Sequence, residues 1–530
     1  MENTRLENRG RLRASIIILA AYLWVLQLMQ AMATDVEMSV LFAAALCLLS
    51  VFLGVILIKT LAGSLSRCKM DASYERPLVC GGAVAALTLI VCCVYLAGNY
   101  PGGLISDPLW QYRQATGMEP YNDWHPVLHT LIFYTLPLKT GFNLGVIMLA
   151  QLGYFSLAFG YLTYVLCRNG CPKAFLAVIC AYVWLDPYLT AYLMYPIKDC
   201  GMTIFAIVLM AYYIQTVCSD GAWLERRLNA VLFAAMAVLC AFMRHNAVLF
   251  VAPLVLIALF CYLKNKKKRA LIITVIAVCF VLIKLLYAAI DVEKPVQRKL
   301  ESIGLPMTVM CNVMQKCPEV LPEETREVMY RIASAEVYEN DYTDCFNSIK
   351  WNWKSDLLYV DTLSYGQVIK YTWQCFTRAP KESFEAVAKL TNLVWAVEID
   401  DVRTPVAIYE NPFGVVSRPL PVFQRLVDQL WDFLSTGLCN ALFGSYGLEL
   451  LAMLVVGLVL LAAGRVSIVH ILPFFCYDFG TMLLLAGRDH RFFMYQLPLW
   501  LPLIFLMLRD NKTLAPRETT KKLAEGGQGE

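Results

Sequence analysis

Long apolar stretches constrain this chain more than any other feature. A helix that crosses a bilayer needs about 20 mostly apolar residues. Charged residues make up only 16% of the 530-residue chain, against about 25% in soluble proteins. The sequence therefore predicts an all-α polytopic membrane protein with about twelve transmembrane helices. The candidate spans are 14–34, 38–58, 78–97, 142–166, 174–194, 200–217, 228–243, 246–263, 270–289, 440–463, 466–486 and 492–508.

The distribution of basic residues predicts the orientation. Arginines and lysines concentrate before the first span, in the loops 59–77 and 264–269, and in the tail 509–530. Basic loops stay on the cytoplasmic side, so we expect both termini in the cytoplasm and the loop 98–141 outside the cell membrane. The net charge of +4 is too small to indicate nucleic-acid binding.

Four units follow from this topology. Residues 1–289 form an N-terminal transmembrane module that carries the outer loop 98–141, and 290–439 form a mostly helical extracytoplasmic domain. C-terminal transmembrane helices follow at 440–508, before the cytoplasmic tail 509–530. The second unit has room for up to two disulfides of undetermined pairing, among Cys311, Cys317, Cys345 and Cys375.

The outer loop concentrates groups that can do chemistry. Its carboxylates are Asp107, Glu119 and Asp123, its imidazoles are His125 and His129, and its interfacial indoles are Trp110 and Trp124. Three later segments end at the same predicted face: Lys198–Asp199, Arg244–His245, and Arg488–Arg491 with Tyr495. Charges this near a membrane core usually face a cavity or each other, which predicts one polar cavity for an anionic ligand.

Each residue also has a structural interpretation. Asp107 before Pro108 is also typical of a turn or a helix cap, and Lys198 of a side chain reaching the headgroups. Arg244 and Arg491 also suit the anchoring of helix ends in the interface. His470, the fifth histidine, is expected to be a hydrogen-bonded core residue in the middle of a span.

The order of these motifs resembles the GT-C superfamily of polytopic membrane glycosyltransferases, and within it an uncharacterised bacterial branch. The motifs are ISDPLWQ at Asp107, NDWHPVLHT at His125, IKDCGMTIF at Asp199, FMRHNAVLFVAPL at Arg244, and RDHRFFMYQLPLWLP near the end. The chain lacks a paired acidic motif in its outer loop, which leaves the use of a divalent metal open. Two spans precede the helix that leads to the loop, and 290–439 resembles no familiar sugar-binding module.

The resemblance implies transfer of a sugar from a polyprenyl-phosphate-linked donor to an extracytoplasmic glycan, lipid or protein. Asp107 would be the general base. Donor-binding groups would be Lys198, Arg244, Arg491, His125 and His129. Groups that orient these or contact the acceptor would be Asp123, Asp199, Trp110, Trp124 and Tyr495. An apolar groove between 200–217 and 246–263 would hold the isoprenoid chain.

Two other functions would use the same lipid-linked sugars. A flippase or transporter needs polar groups deep in the spans, where the sequence has mainly Lys284 and Asp478. A polysaccharide polymerase or membrane ligase would work at the same outer face.

Overall fold

The protein is described here from a computed structural model. The structure describes residues 2–34, 36, 39–65, 70–141, 143–294, 298–397, 406–484, 486–510 and 512. Across these ranges the chain is helical, with only isolated β-bridges and no named strand. Of the tail lysines and arginines predicted to be cytoplasmic, Arg509 and Lys512 are described, and the others lie outside the described residues. Arg67 and Lys69 of the loop 59–77 also lie outside them.

Eight described helices are long and apolar enough to cross a membrane, and they indicate a membrane protein. They are Arg9–Ala33, Val40–Ala62, Pro77–Gly98, Leu144–Arg168, Lys198–Cys218, His245–Tyr262, Lys266–Ala289 and Ser467–Leu484. Two bent helix pairs raise the number to ten if each pair is one span: Lys173–Leu185 with Pro187–Leu193, and Gly437–Gly444 with Tyr446–Ala462. The remaining two predicted spans are the shorter apolar helices Arg227–Met243 and Trp500–Arg509.

The centre of the bundle is the helix Lys198–Cys218, whose side chains are mostly buried on every side. Around it pack the helices Leu144–Arg168 and Arg227–Met243, and the first of these also packs along Pro77–Gly98. The close approach of that last pair depends on glycine, because a Cβ at Gly81 would lie 2.7 Å from the carbonyl oxygen of Gly160.

Basic segments meet at one end of the bundle. Arg509 donates to the carbonyl of Met70 at 2.7 Å, and Lys512 and Lys264 both pair with Asp220, at 3.1 and 3.3 Å. The loops that carry the predicted cytoplasmic charges are therefore neighbours in space. The segments that carry Asp107, Lys198, Arg244 and Arg491 meet elsewhere, as described below.

A second hydrophobic core lies within the predicted extracytoplasmic domain, between Leu300 and Ala386, and it also takes in Ala486. Its helices are Arg298–Ser302, Gly304–Lys316, Glu323–Ile332, Ala335–Asn340, Asn347–Lys350, Leu357–Thr362, Tyr365–Arg378 and Pro380–Thr391. We call residues 298–391 the helical insert. The predicted boundaries 290–439 are wider than this core, because 393–396 and 406–443 pack with the main bundle.

Both ends of the helical insert run beside the outer loop. The Asp123 amide donates to the Glu293 carbonyl at 3.2 Å, just before the insert. After the insert, the amides of Leu104 and Tyr409 form a ladder with the carbonyls of Ala407 and Leu104, each at 2.9 Å. The helix Pro421–Leu434 then packs on Pro77–Gly98. The insert therefore sits at the same end of the bundle as the loop 98–141.

Several predictions about local structure need correction. The apolar stretch 125–140, too short to span, predicts a helix lying in the outer membrane interface. The structure has a helix from Val127 to Leu138, but Phe133 and Tyr134 are fully buried, so it packs into the bundle rather than lying on its surface. His470 lies near the start of its span, not in its middle. The four cysteines considered for disulfides are all free: Cys311, Cys317, Cys345 and Cys375.

Candidate functional site

Asp107 lies in the first turn of the helix Ser106–Ala115, where a carboxylate interacts favourably with free backbone amides. Its side chain is 22% exposed, so it is held by the protein yet reachable from outside. Trp110 follows one turn later and is 37% exposed on the same short helix. This helix thus presents a carboxylate and an indole at the surface.

Two cations from distant parts of the chain share one oxygen of Asp107. Arg491 Nη1 lies 3.0 Å from Oδ2, and Lys198 Nζ lies 3.5 Å from the same oxygen. Lys198 Nζ is also 3.1 Å from His125 Nδ1. We call these four residues the open cluster, because Asp107, Lys198 and Arg491 each keep about a fifth of their side chains exposed.

The electrostatics of the open cluster favour an ionised Asp107. Burial alone raises the pKa of this carboxyl, but the opposing charges of Lys198 and Arg491 outweigh burial and hold the pKa well below its usual range. Burial and the adjacent Lys198 lower the pKa of His125 to about 3. At neutral pH the cluster therefore holds one carboxylate, two cations and a neutral imidazole.

Arg491 is positioned by its neighbours in the loop 486–493. The Asp489 carboxylate accepts from the Arg491 amide at 3.0 Å and pairs with Nε at 2.8 Å. The Phe492 ring lies between two guanidinium groups, 5.5 Å from that of Arg491 and 4.5 Å from that of Arg244. Sequence reasoning missed Asp489 and Phe492 as positioning residues, although both lie in the RDHRFF motif.

Arg244 is deeply buried and already paired. Its backbone is extended between two helices, which directs the side chain into the bundle. There Arg244 Nη1 donates to the Asp199 carboxylate, and the two side chains are only 5% and 1% exposed. The structure thus brings Arg244 and Asp199 together behind Arg491, while the exposed cations are Arg491 and Lys198.

His129 is enclosed by the bundle. Gln111 Nε2 lies 3.0 Å from His129 Nδ1 and donates to Thr130 at 2.9 Å. On the other side, a Cβ at Gly201 would lie 2.4 Å from His129 Cδ2. Glycine at this position lets the helix that begins with Lys198 approach the loop closely, which brings Lys198 to His125.

The structure has an apolar groove of about 490 Å³, and Pro126, which directly follows His125 of the open cluster, contributes to its lining. The helices Arg227–Met243, Val248–Ile257 and Lys266–Ala289 line it. Asp123 and His245 close one end, with the His245 imidazole 3.0 Å from the Asp123 carbonyl. The sequence placed the apolar groove between 200–217 and 246–263. In the structure the helix within 246–263 lines the groove, but its partners are two other helices and not 200–217.

The remaining predicted residues fall into two places. Trp124 is half-buried beside His125, with its ring 5.4 Å from the ammonium group of Lys350 in the helical insert. Tyr495 is fully buried and donates to Asp478 at 2.8 Å, away from the surface. Tyr495 therefore stabilises the interior of the bundle. Because it is buried, it is not exposed to make its predicted contact with an acceptor.

Two buried carboxylates in the bundle were overlooked. Glu449 accepts from Gln496 at 2.8 Å and from Tyr182, and Asp186 accepts from the Leu189 amide at 2.8 Å. Their sequence signal was present, since both interrupt apolar stretches that were counted as spans. Each caps or links bundle helices, and neither belongs to the open cluster.

No known protein family, curated protein or solved structure matches this chain. Within the described part of the chain, no group of three or more His, Cys, Asp or Glu residues is arranged to hold a metal ion.

Proposed function

We propose that this chain is a membrane glycosyltransferase of the GT-C type that moves a sugar from a polyprenyl-phosphate-linked donor to an extracytoplasmic acceptor. The observation that carries the proposal is the open cluster, with one partly exposed carboxylate and two partly exposed cations. Its His125 directly precedes Pro126, which lines an apolar groove. A lipid phosphate ester needs cations for its head and apolar surface for its chain. A sugar acceptor needs a base.

The chemistry assigns a role to each group. The acceptor hydroxyl attacks the anomeric carbon, the bond from that carbon to the phosphate oxygen breaks, and Asp107 takes the hydroxyl proton. The phosphate leaves with the bonding electrons, and Lys198 and Arg491 stabilise its charge. Arg244 and Asp199 act behind them as positioning residues.

The open cluster also provides a way for Asp107 to become a better base. A carboxylate whose pKa is strongly lowered accepts protons poorly. When a donor phosphate draws Lys198 and Arg491 away from the shared oxygen, the pKa of Asp107 rises towards its ordinary value of about 3.9. Donor binding would thus activate the base.

The orientation belongs to the same proposal. The termini lie in the cytoplasm, and the open cluster faces the extracytoplasmic side, because the basic segments gather at one end of the bundle. A fluorescent protein fused at the C-terminus should fluoresce, and alkaline phosphatase fused after Asp291 should be active. The reverse pattern would overturn the orientation.

Asp107→Asn tests the proposal. We expect transfer to a cell-envelope acceptor to fall by about 10²–10⁴, the usual contribution of a general base, with unchanged insertion into the membrane. Glu119→Gln, which neutralises another carboxylate of the same loop, is the matched control and should stay active. Full activity of Asp107→Asn would contradict the assigned base.

A flippase is the second candidate. The buried carboxylates Asp186, Glu449 and Asp478 provide polar groups within the bundle, but each is held by protein hydrogen bonds. These three residues therefore do not form a continuous polar path through the bilayer. The transferase remains our proposal.

A further inference from the structure

Two tryptophans of the helical insert are unusually exposed. Trp351 is 70% exposed and Trp353 is 89% exposed, in the turn between the helices Asn347–Lys350 and Leu357–Thr362. Large aromatic side chains left open to solvent in one short turn often mark an interaction surface.

This turn is continuous with the candidate site. Lys350 is only 3% exposed, and its ammonium group lies 4.7 Å from the ring centre of Trp351 and 5.4 Å from that of Trp124. Trp124 directly precedes His125 of the open cluster. We call Trp353, Trp351, Lys350 and Trp124 the indole strip, since they run from the surface of the insert to the cluster.

We propose that the indole strip binds the saccharide chain of the acceptor, a substrate class that rests on the proposed function. The apolar face of a pyranose ring stacks on an indole. The exposed ammonium group of Lys354, 5.9 Å from the ring centre of Trp353, donates to sugar hydroxyls, whereas the buried Lys350 links Trp351 to Trp124. The strip would hold successive sugars and lead the terminal hydroxyl towards Asp107.

Charge balance favours an uncharged glycan over an acidic lipid surface. Asp341 holds the exposed turn, accepting from Asn352 at 2.7 Å and pairing with Lys354 at 3.7 Å through the same oxygen. An anionic membrane attracts unbalanced lysines, whereas the charge of Lys354 is already matched. The turn is also braced from within, which suits a preformed site.

The test uses the full-length protein in lipid nanodiscs. The probe is a pool of soluble glycans released from the cell envelope of a strain lacking this protein, labelled with a fluorophore at the reducing end. We expect Trp351→Ala/Trp353→Ala to bind the probe about tenfold more weakly than wild type by fluorescence anisotropy. Trp373→Ala is the matched control, because Trp373 is 68% exposed elsewhere in the insert.

The single variant Trp353→Ala guards against a folding artefact, because this side chain is almost fully solvent-exposed, and it should weaken binding too. Quenching of tryptophan fluorescence by brominated lipids in the nanodiscs then tests whether a membrane covers the strip. Equal quenching in wild type and in the double variant supports glycan binding by the strip. Quenching that falls in the double variant, equal glycan affinity in both proteins, or no binding by wild type overturns the proposal.

The two proposals fail differently. If Asp107→Asn retains transfer while the strip variants lose glycan binding, the proposed base is wrong and the strip stands. If Asp107→Asn is inactive while the strip variants bind glycan normally, the transferase stands and the strip is wrong. Asp107→Asn itself should bind the labelled glycans like wild type.

Discussion

Two polar clusters lie in different parts of the helical bundle, and they differ in one respect that matters for function. Around His470, Tyr213 lies 2.6 Å from Nδ1, and Asp510 lies 3.0 Å from Nε2. Tyr262 donates to the same carboxylate at 2.7 Å. We call these four residues the closed cluster, because His470 is fully buried and both of its ring nitrogens have partners.

The open cluster also contains an aspartate and a histidine, but it has two cations in place of the two tyrosines and keeps its charges accessible. Lys198 and Arg491 share one oxygen of Asp107, and their side chains remain 18% and 19% exposed. The closed cluster satisfies its polar groups with the protein itself, so it holds the fold. A polar cluster in a membrane bundle therefore indicates a ligand only where its charges remain reachable.

After Asp107→Asn, the largest effect should come from Arg491→Gln in the open cluster. Without one of the two cations that stabilise the developing charge on the phosphate, the transfer rate should fall by about 10²–10³. Arg488→Gln, an exposed arginine in the same loop, should stay near wild type. Equal losses in the two variants, measured as transfer per amount of folded protein, would mean that the loop rather than the Arg491 charge matters.

The closed cluster should respond in stability instead. His470→Ala leaves the buried Tyr213 hydroxyl without its imidazole partner, at about 1–3 kcal/mol, and removes one of the hydrogen bonds to Asp510, which Tyr262 still contacts. We expect a lower unfolding temperature and an unchanged rate for the molecules that remain folded. A thermal scan combined with a transfer assay checks both, and loss of rate without loss of stability would erase the distinction between the clusters.

A smaller effect should come from the contact that brings Lys198 to the loop. Gly201→Ala forces the helix away from His129, because the added Cβ would lie 2.4 Å from the ring. We expect a several-fold drop in transfer. Gly153→Ala is the control, since a Cβ there meets nothing within 4 Å, and a similar drop in both would argue against the contact.

The smallest effect concerns pH. The cations lower the pKa of Asp107, so the carboxylate of the free wild-type protein stays ionised as pH falls to about 4. In Arg491→Gln one of the two cations that lower this pKa is lost while Lys198 remains, so the pKa moves up. The kcat/KM of the variant should therefore fall more steeply between pH 6 and pH 4 than that of wild type. Parallel profiles would contradict the role of Arg491 in ionising Asp107.

His125 should contribute no titration near pH 6.5, because burial and the adjacent Lys198 lower its pKa to about 3. The imidazole is thus neutral across the working range, and its substitution should leave the shape of the pH profile unchanged. A profile limb near pH 6.5 that disappears in His125→Asn would contradict this assignment.

The sequence predicted the elements better than their packing. Apolar length identified the long helices. The density of charged residues in the outer loop pointed to Asp107 and His125, and the later segments at the same predicted face pointed to Lys198 and Arg491. The sequence did not predict which residues far apart in the chain pair with each other. Nothing local distinguishes the buried Arg244, matched by Asp199, from the exposed Arg491.

The groove and the helical insert show the same limit. Hydropathy found the helix His245–Tyr262 but not the partners with which it forms the groove, because apolar stretches carry little information about which neighbours they choose. The contact of Lys350 with Trp124 joins residues more than two hundred positions apart. Such contacts depend on tertiary packing, which periodicity does not encode.

The affinity of Asp107→Asn for decaprenyl phosphate, measured in nanodiscs, tests the central claim most directly. In the proposed mechanism, Asp107 and the donor phosphate compete for Lys198 and Arg491. Neutralising Asp107 should therefore leave binding as tight as wild type or tighter, although transfer is lost. Clearly weaker binding by Asp107→Asn would contradict the claim that these two cations receive the phosphate.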